Sequence, residues 1–131
     1  MSQNQLFEMA DSEKRYKDLN VWMEARKLSK DIYTITSEFP KEEQFGLINQ
    51  MRRSAISVPS NIAEGCGRNY PKDSIQFFHI SRGSLYELET QLYLSFDLKY
   101  IDEMKLNQIL LSTETTRKLL SGFIKYYQKL K

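Results

Sequence analysis

Cysteine and histidine each occur only once in this sequence, as Cys66 and His79. A single cysteine excludes an internal disulfide and is typical of a reducing compartment. A single histidine excludes a His-rich metal site and leaves a histidine-based catalytic triad without a second supporting cue. The sequence also lacks an apolar run of the roughly 18 residues that a membrane span needs. We therefore expect a cytoplasmic protein with no cofactor, no metal and no membrane partner.

Proline and glycine are scarce as well, with three and five residues, as expected for a mostly helical chain. A length of 131 residues is typical of one domain and is enough to bury a core. Residues 1–15 show no sustained period and lack the apolar stretch of a secretory signal, so we expect a loosely ordered arm there. Residues 16–131 are expected to form a single domain.

Apolar residues at spacings of three and four predict two helices in the first half of the chain. The first follows Asp18, which is the expected N-cap, and ends at Pro40. The second begins at Lys41, and its apolar phase runs unbroken across Pro59, which favours one helix bent at that proline over two helices. The predicted stripe of this second helix consists of Phe45, Ile48, Met51, Ala55, Val58 and Ile62.

Glycines and caps set the expected boundaries of the second half. Gly65 and Gly67 are expected to end the second helix in left-handed conformations. Pro71 suits the first turn of a third helix, and Asp102 is expected to cap a fourth. Gly83 and Ser84 in mid-helix predict a close approach by a neighbouring helix. The predicted fold is all-α, an up-down-up-down antiparallel four-helix bundle.

The second helix carries an unusually polar run over residues 51–68. One interpretation is a structural network in which Arg52 or Arg53 pairs with Glu87 or Glu89 of the third helix, or with a neighbouring subunit. The alternative is phosphate contact by Arg53 and Arg68. The residues of the predicted structural network are Arg52, Arg53, Asn61, Glu64, Glu87 and Glu89.

Several runs resemble a known family: YKDL at residues 16–19, RRSA at 52–55, SVPSNIAEG at 57–65, Arg68, and GSLYELETQL at 83–92. Over residues 16–130 the sequence resembles the four-helix-bundle proteins encoded in 23S ribosomal RNA intervening sequences. It is similar, more distantly, to the accessory variability determinant of diversity-generating retroelements. The resemblance implies a homopentameric barrel of bundles, a role in binding nucleic acid and no enzymatic activity. One departure is Arg82, where the family usually has a small residue.

Charge is polarised along the predicted bundle even though the formal net charge is only +2. Antiparallel topology gathers the start of the first helix, the end of the second, the start of the third and the end of the fourth at one end. The candidate nucleic-acid-binding residues there are Lys14, Arg15, Lys17, Arg68, Lys72, Lys125, Lys129 and Lys131. The opposite end is mainly acidic. We expect the basic end to contact phosphates.

The C-terminal run over residues 117–131 has no acidic residue and interleaves its basic residues with Phe123, Tyr126 and Tyr127. Such a pattern suits phosphate contact together with base stacking. The alternative is a solvated helix end whose lysines interact favourably with the helix dipole.

Two functions remain open, and neither is enzymatic. The first is an oligomeric protein that binds RNA or DNA through its basic end. The second is a scaffold that docks a partner protein such as a reverse transcriptase, with Phe77, Tyr86 or Tyr93 at the contact. A hydrolase or nuclease would need a carboxylate cluster that facing helices do not assemble. Apolar residues off the main stripe of the third helix, namely Phe77, Ile80, Tyr86, Tyr93 and Leu94, predict an oligomer.

Overall fold

A computed structural model describes residues 16–130 of the chain. The four helices are α1 (Asn20–Thr36), α2 (Leu47–Cys66), α3 (Pro71–Asp97) and α4 (Glu103–Gln128). Short 3₁₀ turns at Tyr16–Asp18 and Lys41–Glu43 precede α1 and α2, and residues 16–130 contain no strand. The all-α class predicted from the sequence is confirmed. The arm predicted over residues 1–15 lies outside the described residues.

Each helix packs against both of its neighbours, so that α1 and α3 each contact α2 and α4. The connections span residues 37–46, 67–70 and 98–102. They are short, and each pair of consecutive helices packs side by side. This arrangement is the predicted four-helix bundle. One apolar core lies between the helices, and its largest fully buried side chains include Leu28, Ile32, Met51, Ile62, Phe78, Leu85, Leu88, Leu92, Leu120 and Ile124.

The starts of α1 and α2 differ from the prediction. Asp18 belongs to the 3₁₀ turn, and the N-cap position of α1 is Leu19, whose side chain is buried in the core. The helix that was expected from Lys41 begins at Leu47, whose backbone N–H donates to Glu43 Oε1 at 3.3 Å. Phe45 is therefore not on the buried stripe and is 92% exposed. Periodicity failed here because a 3₁₀ turn interrupts the α-helical phase.

Helix α2 is continuous through Pro59. The prediction of one helix rather than two is therefore confirmed, and the bend at Pro59 stays a prediction. The buried side of α2 includes Met51, Ala55 and Val58, as the unbroken apolar phase indicated.

The glycines at the end of α2 do not have the predicted left-handed conformations, since no glycine among residues 16–130 has a positive φ. Gly65 is helical, and a Cβ built on it would lie 2.4 Å from Phe78 Cε1 and 2.9 Å from the Ser74 carbonyl oxygen. Glycine is required at this position because α3 crosses close to the α2 backbone. The C-cap Gly67 has a φ of −83°.

Gly83 was expected, together with Ser84, to allow the close approach of a neighbouring helix, but it contacts no other helix of the chain. A Cβ built on it would have no heavy atom within 4 Å, because Gly83 lies on the exposed side of α3. Ser84 is the residue that faces α2, where its hydroxyl donates to Ser57 Oγ at 2.8 Å. The predicted close approach to a neighbouring helix therefore does not occur at Gly83 within the chain.

Candidate nucleic-acid interface

The ends of four segments meet at one end of the bundle, which we call the basic pole. It comprises the Tyr16–Asp18 turn, the end of α2, the start of α3 and the end of α4. The turn contacts α1 and α2, and Gly65 lies against Phe78. The ring of Phe78 in turn packs edge-on against Tyr127 of α4, with centroids 4.9 Å apart. Close packing of this aromatic cluster holds the helix ends together.

The described basic side chains of this pole all belong to exposed residues: Lys17, Arg68, Lys72, Lys125 and Lys129. Lys14, Arg15 and Lys131 lie outside the described residues. Among residues 16–130, the four lysines of the pole form no ion pair within 4.0 Å. Their ammonium groups are therefore available to an anion without first breaking a pair with a carboxylate.

Arg68 is the one described cation of the pole that already has partners. Its guanidinium donates to Glu64 Oε2 at 3.2 Å and lies over the ring of Phe77, 4.5 Å from the centroid. Both charged side chains are about half exposed, at 45% and 53%, so the pair contributes little to stability. The Phe77 ring gives the guanidinium a fixed platform at the surface.

The aromatic residues of the C-terminal run are not available for base stacking, contrary to that interpretation of the sequence. Phe123, Tyr126 and Tyr127 are 4%, 6% and 4% exposed. Phe123 and Tyr127 pack on Phe78, with centroids 5.0 and 4.9 Å away. The lysines of the run point to solvent while its rings complete the core, because at 3.6 residues per turn Phe123, Tyr126 and Tyr127 share the buried side of α4 and Lys125 and Lys129 lie on its exposed side.

Tyr70 is a further aromatic residue of the pole and was not among the residues predicted to bind nucleic acid. It lies in the α2–α3 connection and is 69% exposed. The signal was present in the sequence, because Tyr70 stands between Arg68 and Lys72 in a turn that ends at Pro71. A ring flanked by cations in a turn is better placed for exposure than rings on an amphipathic helix.

The opposite end of the bundle is acidic and is held by a different contact. The Tyr100 hydroxyl donates to Glu43 Oε2 at 2.7 Å, which joins the α3–α4 connection to the turn before α2. This hydrogen bond to a carboxylate, together with some desolvation and the nearby charges, raises the pKa of Tyr100 above its usual range. The phenol is thus kept protonated as a donor.

The predicted polar network is divided into separate contacts. Arg52 reaches α1 instead of α3: its Nε donates to Thr36 Oγ1 at 2.9 Å, and its guanidinium stacks on Tyr33, 4.4 Å from the ring centroid. Arg52 lies on the side of α2 that packs on α1, which is why it does not meet Glu87 or Glu89. That predicted pairing is wrong for Arg52.

The remaining members of the predicted network have other partners or face solvent. Glu89 pairs with Arg117 of α4 at 2.8 Å. Asn61 donates to the carbonyl and hydroxyl oxygens of Ser57 at 2.8 and 2.9 Å. Glu64 pairs with Arg68, as described above, while Arg53 and Glu87 are exposed. Phosphate contact by Arg53 stays a prediction.

Cys66 and His79, the single cysteine and the single histidine, lie in different surroundings. Burial raises the pKa of the Cys66 thiol to about 12, although a hydrogen bond with Tyr127 acts in the opposite direction. His79 is exposed, and its Nδ1 lies 3.1 Å from a guanidinium nitrogen of Arg82. No group of three or more metal-ligating side chains occurs among the described residues.

In the part of the chain that the structure describes, no helix is both long and apolar enough to cross a bilayer. The fold and the pole together define a helical-bundle protein whose distinguishing surface is a set of exposed cations at one end. The chain belongs to the family of 23S rRNA-intervening sequence proteins, since the family model matches residues 17–122.

The solved structures contain a similar fold. A crystal structure of a protein of unknown function from the S23 ribosomal protein family of Bacteroides thetaiotaomicron superposes with a TM-score of 0.72 at 24% identity. The similarity covers 80% of this chain and 98% of that protein, and at this identity it supports the bundle fold alone. No curated protein sequence matches the chain significantly.

Proposed function

We propose that this protein is a non-enzymatic, oligomeric nucleic-acid-binding protein whose contact surface is the basic pole. The observation that carries the proposal is the exposure of Lys17, Lys72, Lys125 and Lys129, which form no ion pair among the described residues. Lysines at a surface contact phosphate oxygens without reading base identity. Binding is therefore expected to be weakly sequence-selective and strongly salt-dependent.

Titration of labelled RNA and DNA at two salt concentrations tests the proposal. Neutralised phosphates release counterions. A plot of the logarithm of the binding constant against the logarithm of the salt concentration should therefore have a slope of about −0.7 to −0.9 per phosphate contacted. A Lys125→Glu/Lys129→Glu variant should lose at least about tenfold in affinity at low salt. The matched control is Lys41→Glu/Lys105→Glu, which makes the same charge change away from the pole. Absence of binding at low salt, or equal losses in both variants, would contradict the proposal.

The oligomeric part of the proposal rests on the outer face of α3. Ile80, Tyr86, Tyr93 and Leu94 are 52%, 53%, 49% and 46% exposed in the single chain. Gly83 lies on the same exposed side of this helix, although glycine costs about 1 kcal/mol relative to alanine in a helix interior. Apolar residues around an exposed glycine suit the close approach of a helix from another copy.

Light scattering at micromolar concentration tests this part separately. We expect an oligomer, and the resemblance to the family implies a homopentamer. In a pentamer the electrostatic fields of five basic poles would add. Leu94→Glu places a charge on the apolar α3 face and should shift the protein toward monomer. Lys118→Glu changes a charge on an exposed part of α4 and should leave the assembly unchanged. A monomeric wild-type protein would overturn the oligomer.

The alternative function is a scaffold that docks a partner protein such as a reverse transcriptase. The exposed Tyr86 and Tyr93 rings favour it, because large amphipathic rings are enriched at protein interfaces. Tyr86 is already partly ordered, since Arg117 lies 5.1 Å from its ring centroid. This function predicts retention of a purified reverse transcriptase at high salt, which Tyr86→Ala/Tyr93→Ala abolishes while nucleic-acid binding persists.

The non-enzymatic and cytoplasmic parts of the proposal share one line of support. The raised pKa of the Cys66 thiol leaves it protonated at neutral pH, and a protonated thiol is a poor nucleophile. An unpaired cysteine also suits a reducing cytoplasm. A metal-dependent nuclease needs a carboxylate cluster, and the described residues contain no group of three or more His, Cys, Asp or Glu side chains that could hold a metal ion. We therefore expect a screen for nuclease activity with added divalent metal to find none above that of the buffer.

A further inference from the structure

The connection between α2 and α3 exposes an aromatic ring between two cations. Tyr70 is 69% exposed, and both Arg68 and Lys72 are exposed residues. The other rings of the pole are covered: Phe77 lies under the Arg68 guanidinium, Tyr16 is half-buried against Trp22, and Phe78, Phe123, Tyr126 and Tyr127 are buried. In the described part of the pole, Tyr70 is thus the ring best placed to receive a planar ligand.

The backbone that carries this ring is ordered before any ligand arrives. Tyr70 occupies the N-cap position of α3 with extended φ and ψ angles of −121° and 135°. Its carbonyl oxygen accepts bonds from the backbone N–H groups of Asp73 and Ser74 at 3.0 and 3.1 Å, and from Ser74 Oγ at 3.3 Å. Pro71 then restricts the chain at the first helical position. Little backbone entropy remains to be lost when the ring binds a ligand.

We infer that the basic pole is specific for single-stranded nucleic acid, with the Tyr70 ring stacking on an unpaired base while neighbouring cations contact phosphates. This inference rests on the nucleic-acid binding proposed above. Every base has a flat face, so stacking on an aromatic ring holds a single strand without reading its sequence. In a duplex each base face is already covered by its neighbours, and the ring has nothing to stack on.

Anisotropy titrations of the full chain test the inference with three labelled probes of equal phosphate number. They are a mixed-sequence single strand, a blunt-ended duplex of two shorter strands with the same total number of phosphates, and an abasic single strand that keeps the phosphates but lacks bases. Each probe is measured with the wild type, Tyr70→Ala, and Tyr70→Phe, which retains the ring. Thermal unfolding of each variant serves as the folding check, and it should be unchanged because the side chain is exposed.

We expect wild type to bind the single strand more tightly than the duplex or the abasic strand. Tyr70→Ala should weaken single-strand binding roughly 5- to 150-fold, the range for removing one stacked base. The same variant should leave the affinities for the abasic strand and the duplex unchanged, and also the salt slope. Tyr70→Phe should behave like the wild type. Lys72→Gln should instead weaken the binding of all three probes and reduce the salt slope by the amount that corresponds to about one phosphate contact.

The two proposals fail in different ways. If no probe binds at low salt, the nucleic-acid function fails and the stacking inference fails with it. If all three probes bind equally, or if Tyr70→Ala leaves single-strand binding unchanged, the stacking inference is overturned while the nucleic-acid function stands.

Discussion

The hydroxyl of Ser29 in α1 donates a 2.8 Å hydrogen bond to the carbonyl oxygen of Ala55 in α2. Ala55 lies four residues before Pro59, and a proline has no N–H to donate to that carbonyl. Ser29 therefore supplies, from a neighbouring helix, the hydrogen bond that the proline removes. Ser81 of α3 similarly donates to the carbonyl oxygen of Val58 at 2.9 Å. Hydroxyl groups on both neighbouring helices thus bind the α2 backbone around its proline.

Ser29→Ala should destabilise the protein by about 1–3 kcal/mol, because it leaves a partly buried carbonyl without a donor. Urea unfolding followed by circular dichroism measures the change. The matched control is Thr34→Ala, since the exposed Thr34 hydroxyl donates only within its own helix, to Lys30. A loss for Ser29→Ala no larger than that of the control would contradict the role of Ser29.

A double-mutant cycle isolates the relationship between the serine and the proline. Pro59→Ala restores the N–H that can bond Ala55, so the serine hydroxyl should matter less in that background. We expect Ser29→Ala to cost about 1 kcal/mol less in Pro59→Ala than in the wild type. Additive losses would show that the two residues act independently.

The sequence predicted the continuity of α2 but not the means by which it is achieved. The apolar phase is unbroken across Pro59, which favours a single helix over two, because a change of direction there would shift Ile62 out of phase with Val58. The bond from Ser29 to Ala55 joins residues that are 26 positions apart. Periodicity assigns residues to faces and contains no information about which side chain reaches which backbone group on another helix.

The sequence correctly indicated that the lysines of the candidate site are exposed, but it did not indicate which aromatic rings are exposed. Lysine side chains are long and avoid burial, so topology alone placed Lys72, Lys125 and Lys129 at an exposed end. Aromatic rings are stable in a core or at a surface. Their position therefore depends on the packing of Phe78 against Phe123 and Tyr127, which composition does not specify.

Lys99→Gly should stabilise the protein by about 1 kcal/mol, because Lys99 ends α3 in a left-handed conformation that disfavours a side chain. Its φ is 66°, and the Lys99 and Tyr100 backbone N–H groups donate to the carbonyl oxygens of Phe96 and Ser95, each at 2.9 Å. This pattern is a Schellman motif, whose usual residue at this position is glycine. Lys99→Ala retains a Cβ and should show no comparable gain. If alanine and glycine stabilise equally in urea unfolding, loss of the lysine charge is the cause instead.

Gly65→Ala should destabilise the protein by about 1–3 kcal/mol or more, the usual cost of inserting a methyl group into packed space. The added carbon would lie 2.4 Å from Phe78 Cε1 and 2.9 Å from a backbone oxygen, so α2 and α3 would have to separate. Gly122→Ala is the control, since a Cβ there meets nothing within 4 Å and should add up to about 1 kcal/mol of stability. Thermal unfolding distinguishes the opposite signs.

The raised pKa of Cys66 predicts a loss of stability in alkaline solution. Burial is the main cause of the rise from the ordinary value of 9.0 to about 12. Because the folded pKa exceeds the unfolded one, this contribution is fully present below pH 9.0 and is lost as the pH rises toward 12. Between these limits only the unfolded state releases the thiol proton, so the free energy of unfolding should fall by about 1 kcal/mol per pH unit from this group.

Comparison with Cys66→Ala separates the thiol from other groups that titrate in the same range. The variant should lack the thiol's part of the slope, although its stability at neutral pH is lower because of the cavity. Parallel profiles for the two proteins above pH 9 would contradict the assignment. At pH 8 the wild-type thiol should react with a disulfide reagent only after urea unfolding.

Glu64→Gln should strengthen nucleic-acid binding, if the basic pole is the contact surface. The Glu64 carboxylate holds the Arg68 guanidinium at 3.2 Å and adds a negative charge beside it, so its removal frees Arg68 for a phosphate. We expect affinity to rise about two- to fivefold at low salt, and the difference to shrink as salt screens the exposed charges. Glu42→Gln makes the same change at the acidic end and should leave affinity unchanged. Equal effects of the two variants would indicate a response to net charge alone. If Glu64→Gln binds nucleic acid with unchanged affinity, Arg68 is not part of the contact surface.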